Sequence, residues 1–334
     1  MGMPQTACYE WVAMDALPRG FATLQRRMGS EAFARRMRMQ ASHWARLQHQ
    51  GEGVLKLEQI LPRDRLLALG LRLRGFGGRF EANLTRFRVV EQTWWLPRLP
   101  LAFDGFRLLQ LSDLHLDLHP PLAQAVATAT AAIPHDAAVV TGDYRNSTDD
   151  DSGPALTLMR RALAPLGYPR FGVLGNHDFV EMVWGLENAG LPILLNESAS
   201  ILRDDARLWI AGVDDPHFYR SHDFARARAD VPANACCILL CHSPEVHAEA
   251  GAHGFDLMLS GHTHGGQICL PGGLHIVCPV RRLPRRFIAG CWLSGGLQGY
   301  TSRGTGACGV KARVNCPPEI SVHILRNPQR ARPA

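Results

Sequence analysis

The stretch Asp256-Leu-Met-Leu-Ser-Gly-His-Thr-His-Gly-Gly266 has the pattern of a short buried strand that ends in two histidines spaced i, i+2. On an extended chain this spacing places both imidazoles on one face. The glycines around them allow the backbone to turn tightly beside whatever the rings bind. Two neighbouring histidines at a strand end are typical of metal ligands, although a pair of surface histidines in a glycine-rich loop has the same pattern when it stands alone.

The arrangement recurs at four other places, where a short apolar run is followed by polar side chains that can bind a metal. These apolar runs begin near residues 106, 137, 170 and 236. The side chains that follow them are, in chain order, Asp113 and His115, Asp143, Asn176 with His177 and Asp178, and His242. Five such strand ends in one chain favour a functional site over five unrelated turns.

Helical patterns separate these apolar runs. Helices are predicted near residues 121–133, 155–166 and 181–189, and further strands near residues 191–196 and 207–213. Alternating strands and helices predict βαβ units with parallel strands and right-handed crossovers. Parallel strands end at one edge of their sheet, so Asp113, His115 and Asp143 are expected to converge there.

The ordered motifs resemble those of the calcineurin-like metallophosphoesterases. They are Asp113-x-His115, Gly142-Asp143, Gly175-Asn176-His177-Asp178, His242 and Gly261-His262-Thr263-His264, and the resemblance covers about residues 104–325. The longer stretch 260–267, with Ser302-Arg-Gly-Thr-Gly306 and Pro317-Pro-Glu-Ile320, is similar to a bacterial branch of the family. That branch includes membrane-associated phosphodiesterases and a UDP-2,3-diacylglucosamine hydrolase of lipid A biosynthesis.

The resemblance implies an α/β fold, a four-layer αββα sandwich of two mixed β-sheets flanked by helices. The βαβ run predicts the first sheet. The second sheet, expected to be more antiparallel, is inferred from the resemblance and from the strand patterns at Leu274–Val277 and Ile320–Leu325. After Gly142-Asp143 the chain has Tyr144-Arg-Asn, where relatives often have a small apolar or acidic residue, and this departure bears on substrate contacts.

Carried over residue by residue, the resemblance implies two metal sites that share one carboxylate. Asp113, His115 and His264 are expected to hold one ion, Asn176, His242 and His262 the other, and Asp143 to bridge them. Oxygen and nitrogen donors without a thiolate suit Mn²⁺, the expected metal, or Fe or Zn²⁺. A shared carboxylate can hold two ions about 3.5–4 Å apart, and such a pair makes a bridging hydroxide available as the nucleophile at neutral pH.

The implied activity is phosphoester hydrolysis by a phosphodiesterase or pyrophosphatase. The resemblance assigns His177 to the leaving group or the transition state and not to a metal. Asp178 is expected to orient the His177 ring, as carboxylates commonly do for working imidazoles. The alternative is a non-catalytic peripheral membrane or partner-binding protein on a phosphoesterase scaffold, which a missing ligand would indicate. No ligand is missing from the sequence.

Positive charge is concentrated in the first hundred residues. The formal net charge is +6 and the pI about 9.0, but residues 1–100 carry about +8 and the remainder about −2. We divide the chain into a basic, partly helical N-terminal extension, residues 1–100, and a metallophosphoesterase domain, residues 101–330. A helix predicted from Gly29 onward places Phe33 and Met37 on one face and several arginines elsewhere. Either it lies on an anionic membrane or an acidic partner, or its apolar face packs on the domain and its arginines face solvent.

Composition also bears on location. No apolar run reaches the roughly 18 residues needed to span a bilayer, and the first 30 residues lack the apolar region of a secretory signal. The nine cysteines are odd in number and include no C-x-x-C pair, which favours free thiols in a reducing compartment. The sequence therefore predicts a cytoplasmic protein, with peripheral contact at the inner face of the membrane as a further prediction.

Four arginines are the predicted substrate contacts. They lie in Cys278-Pro-Val-Arg-Arg-Leu-Pro-Arg-Arg-Phe287 and are Arg281, Arg282, Arg285 and Arg286. Guanidinium groups bind phosphate bidentately, so this segment is expected at the entrance to the metal site, with a solvated basic loop as the alternative. An anionic lipid or nucleotide-linked substrate such as UDP-2,3-diacylglucosamine fits these features. The domain has no aromatic-interleaved basic stripe, which argues against nucleic acid.

Overall fold

The computed structural model of the protein describes residues 20–49, 81–148, 151–275, 280 and 283–331. Its strands are β1 Arg88–Trp95, β2 Phe106–Leu111, β3 Ala137–Val140, β4 Arg170–Gly172, β5 Glu197–Arg203, β6 Ala206–Gly212, β7 Cys237–Leu240, β8 Leu257–Ser260, β9 Cys269–Leu270, β10 Leu274–His275, β11 Gly290–Ser294, β12 Leu297–Thr301 and β13 Glu319–Arg326. Its helices are α1 Phe21–Met28, α2 Ser30–His49, α3 Pro121–Ala131, α4 Gly153–Leu163, α5 Met182–Asn188, α6 Phe224–Arg228 and α7 His247–Ala252.

Two large mixed sheets form the centre of the protein. The first has the strand order β1-β13-β2-β3-β4, and the second β11-β12-β8-β7-β6-β5. The first sheet is parallel from β2 to β4, and β13 runs antiparallel to β2. The second is parallel from β12 through β8 and β7 to β6, and antiparallel at its edges. The predicted mixed α/β sandwich is confirmed.

Alternating apolar residues build the layers. In β2, Leu108 faces the core between the two sheets, whereas Leu109 faces the helices outside the first sheet. This is the period of two expected of a strand that is buried on both faces. Helices α3, α4 and α5 cover the outer face of the first sheet, and α6 and α7 cover that of the second. The layers therefore stack as helices, sheet, sheet, helices.

Three strand predictions need correction. The segment Leu191–Asn196 forms only an isolated bridge, Gly172 with Ile193, and the regular strand β5 begins at residue 197. Strand β13 belongs to the first sheet, where it pairs with β1 and β2, and not to the second. Strand β10 pairs with β9 in a separate two-stranded hairpin. Residues 276 and 277 of the predicted strand lie outside the described residues. The second sheet was expected to be more antiparallel, but it is mostly parallel, because β6, β7 and β8 run in the same direction, as β2, β3 and β4 do in the first sheet.

The described part of the N-terminal extension packs on the rest of the protein. Phe33 and Met37 of α2 pack against the core outside the first sheet, as one of the two alternatives predicted. The prediction that the arginines of this helix face solvent is wrong for Arg36, which is fully buried. Strand β1 forms the edge of the first sheet. The predicted boundary at residue 100 therefore assigns one strand of that sheet to the N-terminal extension. No helix among the described residues is long and apolar enough to span a membrane.

Candidate metal centre

The predicted site residues follow strands of both sheets. Asp113, Asp143 and Asn176 come after β2, β3 and β4, whereas His242 and His262 come after β7 and β8. Because these strands are parallel within each sheet, their carboxyl ends lie at one edge of each sheet. The structure brings these two edges together, and with them all seven predicted ligands.

Most of these residues occupy a rare backbone conformation. Left-handed φ angles are found at Asp113 (52°), His115 (42°), Asp143 (58°), His262 (67°) and His264 (51°). Residues other than glycine avoid this region, and such strain clusters at functional sites where the surrounding structure holds it in place. The turns after β2, β3 and β8 therefore direct their side chains toward the site through strained backbone conformations.

The side chains form two adjacent clusters. Asp113, His115 and His264 make up the first and Asp143, His242 and His262 the second, and within each cluster the candidate ligand atoms all lie within 4.8 Å of one another. Asp143 faces both clusters, because its Oδ2 lies 3.5 Å from Nε2 of His115 and 3.4 Å from Nε2 of His242. Two ligands that are each about 2.1 Å from one ion stand roughly 3–3.5 Å apart. Nε2 of His264 has this spacing from Nε2 of His115, at 3.2 Å, and from Oδ1 of Asp113, at 3.5 Å.

Hydrogen bonds fix the imidazoles of His115 and His242. Nδ1 of His115 lies 2.8 Å from the carbonyl oxygen of Arg145, and Nδ1 of His242 lies 2.7 Å from that of Thr141. A carbonyl only accepts, so both Nδ1 atoms donate and a neutral ring has its lone pair on Nε2. Nε2 of His242 is 3.0 Å from Oδ1 of Asn176, so a proton or a cation is needed between these two atoms.

Burial and charge at the site favour a divalent cation. Nε2 of His262 is buried and has no hydrogen-bond partner. Burial lowers the pKa of His262 well below its usual value and that of His115 to about 4, so both rings are neutral donors. Burial also opposes the charged form of His242, but the carboxylates of Asp143 and Asp113 raise its pKa to about 10. An orphaned lone pair in a region of such negative potential fits a metal site.

His264 is held differently. A guanidinium nitrogen of Arg313, which is buried, lies 3.1 Å from Nδ1 of His264, and another lies 3.1 Å from its carbonyl oxygen. Because arginine only donates, Nδ1 accepts here and a neutral ring carries its proton on Nε2. Binding of an ion through Nε2 of His264 would place the proton on Nδ1. The hydrogen bond from Arg313 to Nδ1 would then have to break. No sequence motif pointed to Arg313, which lies 49 residues from His264.

His177 lies at the edge of the first cluster. Its ring centroid is 4.9 Å from that of His115, and its Nδ1 lies 2.8 Å from the carbonyl oxygen of Asn146. Burial opposes its charge, but the carboxylate of Asp143 raises the pKa of His177 well above its usual value. A protonated ring therefore presents its second proton on Nε2. That atom lies 3.7 Å from Sγ of Cys308, which the sequence analysis did not single out.

Asp178 does not contact the His177 ring, and the prediction that it orients that ring needs correction. Its carboxylate accepts three backbone N–H groups, those of Asp143 at 2.8 Å, Tyr144 at 2.9 Å and Gly175 at 2.8 Å. Asp178 thereby joins the loop that carries Asp143 to the loop that carries Asn176. Orientation of the His177 ring comes from Asn146 instead.

The sequence departure at Tyr144-Arg-Asn has a structural role. The Tyr144 side chain is buried, and its hydroxyl donates to the carbonyl oxygen of Val173 at 2.8 Å. Nε of Arg145 donates to the carbonyl oxygen of His177, also at 2.8 Å. These residues therefore brace the loop that carries His177.

Two further features lie around the clusters. His217 has its ring centroid 4.2 Å from that of His262, and its Nδ1 lies 2.9 Å from Oε1 of Glu245. Of the four predicted substrate arginines, Arg285 and Arg286 are exposed. Arg281 and Arg282 lie outside the described residues.

Comparison with known proteins identifies relatives. A family profile described as calcineurin-like phosphoesterase matches residues 106–266. The chain is 30% identical over 274 residues to YkuE of Bacillus subtilis, described as an uncharacterized metallophosphoesterase, across 78% of this chain and 94% of YkuE. It is also 30% identical over 245 residues to YkoQ of the same bacterium, described in the same words, across 71% of this chain and 88% of YkoQ. Phosphodiesterase YaeI of Escherichia coli is 30% identical over 250 residues, across 70% of this chain and 88% of YaeI.

Proposed function

Since the chain belongs to the calcineurin-like phosphoesterase family and is a metal-dependent phosphoester hydrolase, we propose that it is a phosphodiesterase or pyrophosphatase with two metal ions. The observation that carries this proposal is the position of Asp143, whose carboxylate faces a histidine of each cluster at 3.4–3.5 Å. One carboxylate between two sets of imidazole and oxygen donors is suited to a bridging ligand.

In this proposal Asp113, His115 and His264 hold one ion, and Asn176, His242 and His262 hold the other. Mn²⁺ is the proposed metal, because oxygen and neutral imidazole donors without a thiolate suit it. A pair of such ions supplies Lewis acidity toward phosphoryl oxygens and lowers the pKa of a water molecule. The complete donor set argues against the non-catalytic alternative.

His177 acts as the proton donor. The carbonyl oxygen of Asn146 accepts from Nδ1 and fixes the ring, so the proton available for transfer is the one on Nε2. Transfer of this proton to the leaving oxygen removes the need to expel an alkoxide. Asp178 contributes by holding the Asp143 and Asn176 loops together and touches no reacting atom.

The finer proposal is that the substrate is lipid-linked or nucleotide-linked, with UDP-2,3-diacylglucosamine as a candidate. Arg285 and Arg286 support it as exposed cations that can bind a phosphate bidentately. Peripheral contact with an anionic membrane belongs to the same proposal.

A substrate screen on Mn²⁺-reconstituted protein tests this function. We expect turnover of bis(p-nitrophenyl) phosphate that a chelator abolishes and Mn²⁺ restores. The panel also contains a UDP-linked acyl sugar, which tests the finer proposal separately. Folded, metal-loaded protein that turns over no phosphoester in the panel would overturn the hydrolase proposal. Failure to turn over the UDP-linked acyl sugar, with turnover of other phosphoesters, would overturn only the finer proposal.

A further inference from the structure

A second cleft lies beside the metal centre, and none of the seven predicted ligands lines it. It has a volume of about 610 Å³, and its lining includes Arg88, Arg285, Arg303, Gly265 and Leu274. We call it the arginine cleft. Gly265 connects it to the metal centre, since this residue directly follows His264.

Two of the three arginines that line the arginine cleft have no acidic partner among the described residues. Arg88 and Arg285 are exposed, and the structure gives neither side chain a hydrogen bond or ion pair with another described residue. Arg303 forms a loose ion pair with Glu319, in which Nη1 lies 3.7 Å from Oε2. None of the described residues that line the cleft is acidic. Three guanidinium groups around one cleft suit an anion with several oxygens, such as a phosphate.

An apolar pair lies at the rim of the cleft. Leu270 of β9 and Leu274 of β10 are register partners in the hairpin. They are 48% and 44% exposed, and Leu274 lines the cleft. Large apolar side chains that are exposed side by side next to arginines are typical of a surface that binds an amphiphile.

The loop of Arg303 also links the cleft to the metal centre. A Cβ added at Gly265 would lie 2.9 Å from Cγ of Arg303, so the backbone of Gly265 lies against the Arg303 side chain. A Cβ added at Gly304 would lie 3.2 Å from Cβ of Asp113 and 3.2 Å from Nδ1 of His264. Arg303 lines the cleft and Gly304 packs on Asp113 and His264, so this loop borders both the cleft and the metal centre.

We propose that the arginine cleft binds a phosphate group of an amphiphilic ligand, whose acyl part lies along Leu270 and Leu274. This inference rests on the proposed function in one respect: the same ligand presents its scissile phosphoester to the metal centre. The substrate class is then a phosphoester that carries a second phosphate and an acyl chain.

The test is calorimetric binding of two probes to Mn²⁺-loaded protein. Dihexanoylphosphatidate, below its micellar concentration, has a phosphate monoester and two short acyl chains, and glycerol 3-phosphate has the phosphate alone. We expect Arg88→Gln and Arg285→Gln each to weaken dihexanoylphosphatidate binding about ten-fold, as expected for loss of a charge-assisted hydrogen bond. Arg160→Gln removes the same charge from exposed α4 and is expected to change nothing.

Further variants separate the parts of the proposal. Leu270→Ser and Leu274→Ser are expected to weaken dihexanoylphosphatidate and leave glycerol 3-phosphate unchanged. If wild type and both arginine variants bind dihexanoylphosphatidate with equal affinity, the proposal that the arginine cleft binds phosphate is wrong. If wild type binds the two probes with equal affinity, the proposed acyl contact is wrong. His262→Ala should retain binding. Loss of binding in His262→Ala but not in the arginine variants would place the probe at the metal centre and also overturn the proposal.

Binding is read without turnover, so failure of the cleft is distinct from failure of the proposed function. The latter is measured on bis(p-nitrophenyl) phosphate with wild-type protein. Thermal unfolding of each variant confirms that the chain is folded before its binding is compared. Both glutamine variants replace exposed side chains, so neither is expected to change the unfolding temperature measurably.

Discussion

Arg36 of α2 forms a fully buried salt bridge with Asp214, which follows β6, with Nη1 2.9 Å from Oδ1. Its other terminal nitrogen donates to the carbonyl oxygen of Asp178, and the guanidinium lies 3.6 Å from the centre of the Tyr219 ring. The N-terminal helices are therefore tied to the loop that carries His177. This tie is a structural reason for the helices to be needed for activity.

Replacement of Arg36 by Ala is expected to lower the free energy of unfolding by about 3 kcal/mol, because it leaves Asp214 buried without its partner. Arg35→Ala is the matched control: its ion pair with Glu31 is exposed, so about 0.5 kcal/mol is expected. Chemical denaturation measures both. Equal losses in the two variants would show that the buried pair contributes nothing particular.

Replacement of His177 by Ala is expected to lower kcat for bis(p-nitrophenyl) phosphate at least about 10²-fold, because the proton donor is removed. Metal content should remain that of wild type, since His177 is not among the proposed ligands. His135→Ala serves as the control, because this imidazole donates from Nδ1 to the carbonyl oxygen of Ile133 and is not among the predicted site residues. Unchanged turnover in His177→Ala would remove this residue from the mechanism.

Replacement of Asp178 by Asn is expected to act on the metal site instead. The amide keeps one acceptor oxygen, but its NH₂ group faces backbone N–H groups that donated hydrogen bonds to the carboxylate. Because two donors cannot pair, the Asp143 and Asn176 loops are expected to separate. We expect metal affinity to fall about 10- to 100-fold, as for other residues that orient ligands. Titration with Mn²⁺ measures it. If Asp178→Asn lowers kcat while metal affinity stays at the wild-type value, this role is wrong.

Replacement of Gly261 by Ala is expected to disrupt the site sterically. A Cβ there would lie 1.8 Å from Oγ of Ser112 and 2.4 Å from Oδ2 of Asp113. We expect a loss of about 3 kcal/mol in the free energy of unfolding, together with loss of metal binding. Gly167→Ala, which meets no atom within 4 Å, should change stability by less than about 0.5 kcal/mol. A stable Gly261→Ala chain that binds metal normally would contradict the packing described here.

The strand ends were predictable because each combines a local apolar run with a local ligand motif, as at Asp113 and Asp143. Convergence of Asp113 and Asp143 then follows from the parallel direction of β2 and β3, whereas the ligands of the second sheet were assigned from the family resemblance. Arg36 was not predictable in this way, because its burial depends on Asp214, 178 residues away. The role of Asp178 was missed for a related reason: carboxylates bind backbone N–H groups as readily as imidazoles, and sequence does not distinguish the two.

Strand membership was harder to predict than strand existence. The β13 segment has the alternation of a strand, but whether it joins the first or the second sheet depends on contacts with β1 and β2 more than 200 residues away. Strand β5 was missed because its Ser and Ala residues give little apolar signal. The arginine cleft likewise combines Arg88 with residues that lie about 200 positions further along the chain.

The central claim is that Asp143 bridges two divalent ions, and metal content per chain tests it most directly. Protein reconstituted with Mn²⁺ and dialysed is measured by elemental analysis. We predict two ions per chain for wild type and fewer than one for Asp143→Ala, with Asp205→Ala, at the exposed turn between β5 and β6, equal to wild type. Two ions retained by folded Asp143→Ala protein, or none by wild type, would contradict the account.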